Sequence, residues 1–188
     1  MMKNYFVHPS AIVETDQVGA DTRIWAFVHI LKGASIGSNC NICDHCFIEN
    51  DVIIGNNVTV KSGIYIWDGV IIEDNVFLGP NVVLTNDLRP RSKTYHARVE
   101  KILIRKYASI GANSTLLCSI TIGEYAMAGI GSVITKDVPA YALVYGNPAK
   151  QHGWVDEKGT KLSAVGPGIW KSEEGINYKE TENGLARI

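Results

Sequence analysis

The chain has 188 residues and a formal net charge of −1, enough for one domain with a sizeable core and without the basic excess that nucleic-acid binding draws on. No apolar run reaches the roughly 18 residues of a membrane span, and Met1 to Phe6 lacks the apolar core of a signal peptide. These features predict a soluble cytoplasmic protein with no nucleic-acid and no membrane partner.

From Ile12 to Leu84 an aliphatic residue stands at every sixth position, and the series resumes as Ile104, Ile110, Leu116, Ile122, Ala128 and Ile134. Four positions after many of these comes a small or β-branched residue, such as Val28, Ala34, Val58, Ala108 or Ser132. Turn-formers fall between, among them Gly37, Gly55, Asn56-Asn57 and Asp74-Asn75. A period of six fits neither a helix nor a long alternating strand. It fits a solenoid of very short strands, three to a coil. Residues 18 apart then stack, with coils roughly 4.8 Å apart. The interior becomes three columns, one of them Ile12, Ile30, Ile48, Ile66 and Leu84. One coil cannot bury its own face, so stability comes from stacking. The predicted fold is all-β: a parallel β-helix over 1–150, then a hairpin and tail over 151–188.

Cys40, Cys43 and Cys46, with His45 beside them, have the spacing of a metal site. The six-residue frame instead puts Cys40 and Cys46 at the small inward position and Cys43 beside a turn, so the three do not converge. No metal is expected.

The stretch 85–103 interrupts the repeat as a long polar loop. Arg89, Arg91, Lys93, Arg98 and Lys101 stand there against Asp87 and Glu100, a net of +3 in a nearly neutral chain. A long loop leaving a rigid scaffold is where function tends to sit. The repeat ends near Val138-Pro139. Trp154 to Leu162, with Gly159 in the turn, reads as a hairpin that caps the last coil.

The repeat, the run Gly129-Ile130-Gly131-Ser132-Val133-Ile134-Thr135-Lys136-Asp137-Val138-Pro139 and the segment Gly146-Asn147-Pro148-Ala149-Lys150 resemble the hexapeptide-repeat acyltransferases. The resemblance implies a left-handed β-helix and a homotrimer, with acetyl-CoA in the groove between neighbours. Ala112 and Ile130 are 18 apart and stack, so their backbone groups offer a ladder beside the pantetheine. On this view Gly111 and Gly129 keep the track open. Thr135, Lys136 and Lys150 serve the phosphate and adenosine end.

Trp67-Asp68-Gly69-Val70, Asn81 and the loop Asn86-Asp87-Leu88-Arg89-Pro90-Arg91-Ser92 are similar to a subgroup that N-acetylates nucleotide-linked 3-amino sugars, dTDP-3-amino-3,6-dideoxyhexoses above all. O-acetyltransferases of the wider family carry a histidine near the proline of this loop, and Thr85 to Ser92 has none. A neutral amine, unlike a hydroxyl, attacks a thioester with little help. The resemblance therefore implies that Asn86 and Asp87 orient and deprotonate the sugar amine, with His96 as a further acid/base candidate. Arg89 and Arg91 hold the pyrophosphate. Tyr65 and Trp67 stack on sugar or base, with Asp68 beside them. The implied pathway is the synthesis of surface-polysaccharide precursors.

The alternatives are an O-acetyltransferase acting on a sugar or serine hydroxyl, and a non-catalytic β-solenoid. A γ-class carbonic anhydrase would need three converging histidines, and His29 and His45 are 16 apart, off the 18-residue stack.

Overall fold

The computed structural model describes residues 4–94 and 100–188. Two-residue strands alternate with tight turns and stack in parallel as three faces. Face A includes Arg23–Ile24, Asn41–Ile42, Thr59–Val60, Phe77–Leu78, Ser109–Ile110 and Met127–Ala128. Face B includes Ile12–Val13, His29–Ile30, Phe47–Ile48, Tyr65–Ile66, Val83–Leu84, Thr115–Leu116 and Val133–Ile134. Face C includes Ser35–Ile36, Ile53–Ile54, Val70–Ile72, Ile102–Ile104 and Ile120–Ile122. Residues 18 apart pair on all three faces, as Asn41 with Thr59, Phe47 with Tyr65 and Ser35 with Ile53 do. This is the predicted parallel β-helix.

Successive side chains of a strand point to opposite sides. From Arg23–Ile24 to Val133–Ile134 each two-residue strand therefore buries its second residue and turns its first outward, and the three-residue strands of face C bury their first and third. Ile30, Ile48, Ile66, Leu84, Leu116 and Ile134 form the column behind face B, and comparable columns lie behind faces A and C. The small inward positions are buried too, Ser114 and Ser132 among them. Each buried aliphatic side chain contributes on the order of 1.5–3 kcal/mol.

The corners need backbone in the left-handed region. At the corner between faces A and B it is adopted by Phe27, His45, Gly63, Asn81, Asn113 and Gly131. At the corner between faces C and A it is adopted by Asp21, Asn39, Asn57 and Asn75, then by Tyr107, Tyr125 and Tyr141. Asn, Asp and Gly tolerate this region and aromatic residues do so less readily. Stacking offsets that cost here: Tyr107 and Tyr125 lie 4.5 Å apart and 1° from parallel, and Tyr141 continues the stack at 4.9 Å.

The predicted columns hold with one correction. Ile12 is 57% exposed, and Val13 is the residue that pairs with Ile30. The first coil is short: Val13 and Val18 are five apart. Thr15 fills the buried site between them, its hydroxyl donating to the Ala34 carbonyl at 2.7 Å.

After Leu84 the chain leaves the helix. Leu84 pairs with Leu116, 32 residues later, so the excursion adds 14 residues to a coil. The strand Ile102–Ile104 takes the last residues of the interrupted stretch back into face C. Cys40, Cys46 and Cys118 are buried and Cys43 is half-buried.

Past the last coil, Ala142–Gly146 and Ala149–Trp154 form an antiparallel hairpin on face A. Val155 bridges Lys161, so a tight turn lies inside the expected Trp154–Leu162 hairpin. Beyond it stands a four-stranded antiparallel sheet that no periodicity announced, Ser163–Gly166, Ile169–Lys171, Asn177–Thr181 and Gly184–Arg187. Its buried Tyr178 packs 5.7 Å from Tyr141, joining the sheet to the tyrosine stack. Among the described residues no helix is long and apolar enough to cross a membrane.

Candidate active site

The loop rises from the corner between faces B and C. Thr85 fixes its root: its N–H and its hydroxyl both reach the Leu116 carbonyl, at 3.2 and 3.1 Å. The same hydroxyl accepts the Cys118 N–H at 2.9 Å. On the return side Glu100 N–H donates to the Asn86 carbonyl at 3.4 Å, and the Ser119 hydroxyl donates to the Glu100 carboxylate. The excursion is thus pinched at its neck and tied to the following coil.

Asp87 accepts the Arg89 N–H at 3.0 Å, a local turn that sets the direction of the loop. Arg91 donates to the Pro90 carbonyl at 2.9 Å. Asn86, Asp87, Arg89 and Arg91 therefore stand together on one loop. His96 lies outside the described residues.

One coil before the loop, Tyr65 on face B and Trp67 just past it meet, with ring centroids 5.9 Å apart. They belong to a larger group. Phe47 lies 6.3 Å from Tyr65 and 5.8 Å from Trp67, and His29 meets Phe47 edge-on at 5.5 Å. Phe27 and His45 stack at 5.0 Å on the corner between faces A and B. Together these rings line an open cleft of about 270 Å³. His29 Nε2 is hydrogen-bonded to Glu14 at 2.8 Å. Phe27, His29, His45 and Phe47 complete the cleft beside the expected Tyr65 and Trp67. The signal that would have found His29 and Phe47 is the outward residue just before each buried isoleucine of face B, where His29, Phe47 and Tyr65 follow one another. Asp68 has a partner in the scaffold, its carboxylate accepting the Asp51 N–H at 2.7 Å.

The residues expected to bind the cofactor divide between two corners. Gly111, Ala112, Gly129 and Ile130 lie at the corner between faces A and B, with Gly131 N–H donating to the Ala112 carbonyl at 2.9 Å. Ile130 is 80% exposed. Lys150 is exposed near the start of the hairpin's return strand, beside Tyr145 and His152, whose rings stack at 3.7 Å. Thr135 and Lys136 are exposed past the end of the face B strand Val133–Ile134. Face B separates the two sets. The two glycines also serve the packing of the coils. A Cβ on Gly111 would lie 2.6 Å from Ile130 N, and one on Gly129 would lie 2.9 Å from Tyr145 Cβ. Their bareness lets the neighbouring segments approach one another.

Three of the thiols are held towards their neutral form. Burial pushes Cys46 up to about 11 and raises Cys40 and Cys43 as well. Among the described residues no group of three His, Cys, Asp or Glu is arranged to hold a metal.

Residues 17–50 and 51–86 match the family model "Bacterial transferase hexapeptide (six repeats)". The chain is 67% identical over 160 residues to the dTDP-3-amino-3,6-dideoxy-alpha-D-galactopyranose 3-N-acetyltransferase of Aneurinibacillus thermoaerophilus, covering 85% of this chain and 83% of that protein. The chain belongs to the hexapeptide-repeat transferases. Its β-helix is accordingly left-handed. Among solved structures it is similar to a hexapeptide-repeat acetyltransferase of Vibrio cholerae O1 biovar eltor complexed with acetyl coenzyme A. The TM-score is 0.58 at 25% identity, over 66% of this chain and 72% of that one. It is also similar to a maltose O-acetyltransferase from Clostridium difficile 630, with a TM-score of 0.55 at 26% identity, over 62% of this chain and 67% of that one.

Proposed function

We propose that the protein transfers the acetyl group of acetyl-CoA to the 3-amino group of a nucleotide-linked 3-amino-3,6-dideoxy sugar, dTDP-linked in preference to UDP-linked. The 67% identity to a named 3-N-acetyltransferase across 85% of the chain carries this reading. The polar loop supplies the chemistry that such a reaction asks for.

In the reaction the neutral amine attacks the thioester carbonyl. The new C–N bond forms, the C–S bond breaks, and the amine proton passes to Asp87 or to the departing thiolate sulfur. Asn86 orients the amine. Arg89 and Arg91 hold the pyrophosphate, whose oxygens suit planar guanidinium donors. Most of the rate gain comes from holding amine and thioester together. A backbone N–H near Gly111 faces the tetrahedral oxyanion.

The split of the cofactor residues supports a homotrimer. A single chain keeps Ala112 and Ile130 on one corner and the loop with Thr135 and Lys136 on another. A groove between two copies brings a corner of each to the same acetyl-CoA. The protein then works in the cytoplasm, where acetyl-CoA is available, and feeds acetylated sugar nucleotides to glycan assembly.

Identifying the product bond tests the proposal. The predicted amide survives neutral hydroxylamine and shows the acetyl group on the C3 nitrogen by NMR. An ester cleaved by hydroxylamine would make the protein an O-acetyltransferase.

A further inference from the structure

We infer that Glu100 and Ser119 are positioning residues for the transfer, through which the coil after the loop sets the place of Asn86. This role rests on the proposed function, in which Asn86 orients the amine, and adds a control on Asn86 from outside the loop's tip.

The neck of the excursion has two sides, and one dipeptide holds both. On the outgoing side Cys118 N–H donates to the Thr85 hydroxyl at 2.9 Å. On the returning side Ser119 N–H donates to the Lys101 carbonyl at 2.7 Å, and the Ser119 hydroxyl donates to the Glu100 carboxylate. Glu100 N–H in turn donates to the Asn86 carbonyl at 3.4 Å. A continuous path of hydrogen bonds thus runs from the corner of one coil to the backbone of Asn86. At 3.4 Å its last bond is long and weak by itself. The place of Asn86 therefore depends on what holds Glu100 from the other side.

The backbone at Ser119 points to a dedicated use of its hydroxyl. Ser119 has a φ of +62°, in the left-handed region that a serine seldom adopts. Gly69, Lys101 and Ser119 each precede a face C strand, and those strands pair in register. Gly69 turns the same corner at a φ of +87° with no side chain. A glycine at 119 would make the turn at less cost. What serine adds is the hydroxyl, and the hydroxyl bonds Glu100. Ser119 is exposed and Glu100 half-buried, so the bond lies at the surface. There it adds little to the stability of the helix but fixes the returning side of the neck against Asn86.

Steady-state kinetics and hydrogen exchange of the full-length protein test the role together. Ser119→Ala and Glu100→Ala each break the path. Each is expected to lower kcat about tenfold, the effect of a displaced amine, with the KM for acetyl-CoA unchanged. The double variant should be no slower than either single one, because both break the same path. Glu100→Gln keeps an oxygen that accepts the Ser119 hydroxyl and should restore most of the lost kcat. Exchange in peptides spanning Asn86 should quicken in both alanine variants, while the remaining coils exchange as in the wild type. Faster exchange with an unchanged kcat would mark a structural tie only and overturn the positioning role. So would losses that add in the double variant. A Glu100→Gln as slow as Glu100→Ala would overturn it too, by showing that the charge itself acts on the substrate. If the wild type acetylates an amino-sugar nucleotide and every variant matches it, the positioning role falls and the proposed function stands. If the wild type acetylates no amino sugar, both fall.

Discussion

The hydroxyl of Thr85 accepts the backbone N–H of Cys118 at 2.9 Å, fastening the first residue of the loop to the coil that follows it. That hydroxyl also donates to the Leu116 carbonyl, so one side chain satisfies two backbone groups at the mouth of the excursion. Thr85→Val keeps the shape and removes both bonds, leaving the Cys118 N–H without its acceptor. A loss of about 1–3 kcal/mol is expected in urea unfolding. The variant should also show a higher KM for the sugar nucleotide with the KM for acetyl-CoA little changed, because only the loop is loosened.

Asp87→Asn keeps the size of the side chain and its capacity to accept the Arg89 N–H. It removes a proton acceptor beside the amine. Steady-state kinetics should show kcat lower by about 100-fold, with acetyl-CoA affinity retained. An unchanged kcat would assign the proton to the thiolate sulfur alone.

Ile130 is the most exposed large apolar side chain of the β-helix, at 80%. A surface isoleucine so bare at the proposed cofactor groove calls for a partner. Ile130→Asp should leave the fold intact by circular dichroism and raise the KM for acetyl-CoA about tenfold, the loss of one well-buried apolar contact. Sedimentation of the same variant reports whether the groove also holds the copies together.

Alkaline stability should follow the tyrosines. Desolvation raises Tyr178 above its ordinary value of 10.0, helped by its hydrogen bond to Glu157, and raises Tyr141 too. The folded protein keeps these phenols neutral while the unfolded chain ionises them. The unfolded state then binds fewer protons, and stability falls as pH rises. The melting temperature should hold steady up to about pH 10 and decline above it. Tyr178→Phe, whatever its neutral-pH stability, should show a shallower alkaline decline.

Thiol labelling should be graded. Cys43 is half-buried, whereas Cys40, Cys46 and Cys118 are buried. At pH 8 a maleimide should modify one site in the native protein, and tryptic mapping should place it at Cys43. Denaturant should expose all four.

The β-helix was legible because one rule, an aliphatic residue every six positions, specifies strand, corner and column at once. It failed at the first coil, where two aliphatic residues stand side by side and the step shortens to five. Ile12 and Val13 are both able to point inward, and only the short step from Val13 to Val18 decides between them. The C-terminal sheet left no periodic trace, since its strand Ser163–Gly166 is exposed along its length and buried Tyr178 is an isolated signal. Within the site, the loop announced itself by charge and by interruption. The aromatic cleft did not, because His29 and Phe47 are far apart in sequence and become neighbours only when the coils stack. The division of Ala112 and Ile130 from Thr135 and Lys136 follows from the same frame: the first two come after face A strands and the last two after a face B strand.

The most direct measurement is release of the CoA thiol from acetyl-CoA with a panel of acceptors. The panel holds dTDP-3-amino-3,6-dideoxygalactose, its glucose-configured epimer, a UDP-linked 3-amino sugar and serine. Rapid release with a dTDP-linked amino sugar, slower release with the UDP sugar and none with serine is the predicted result. Release with a hydroxyl acceptor while every amino sugar stayed inert would contradict the assignment of the loop and leave only the scaffold and the acetyl donor standing.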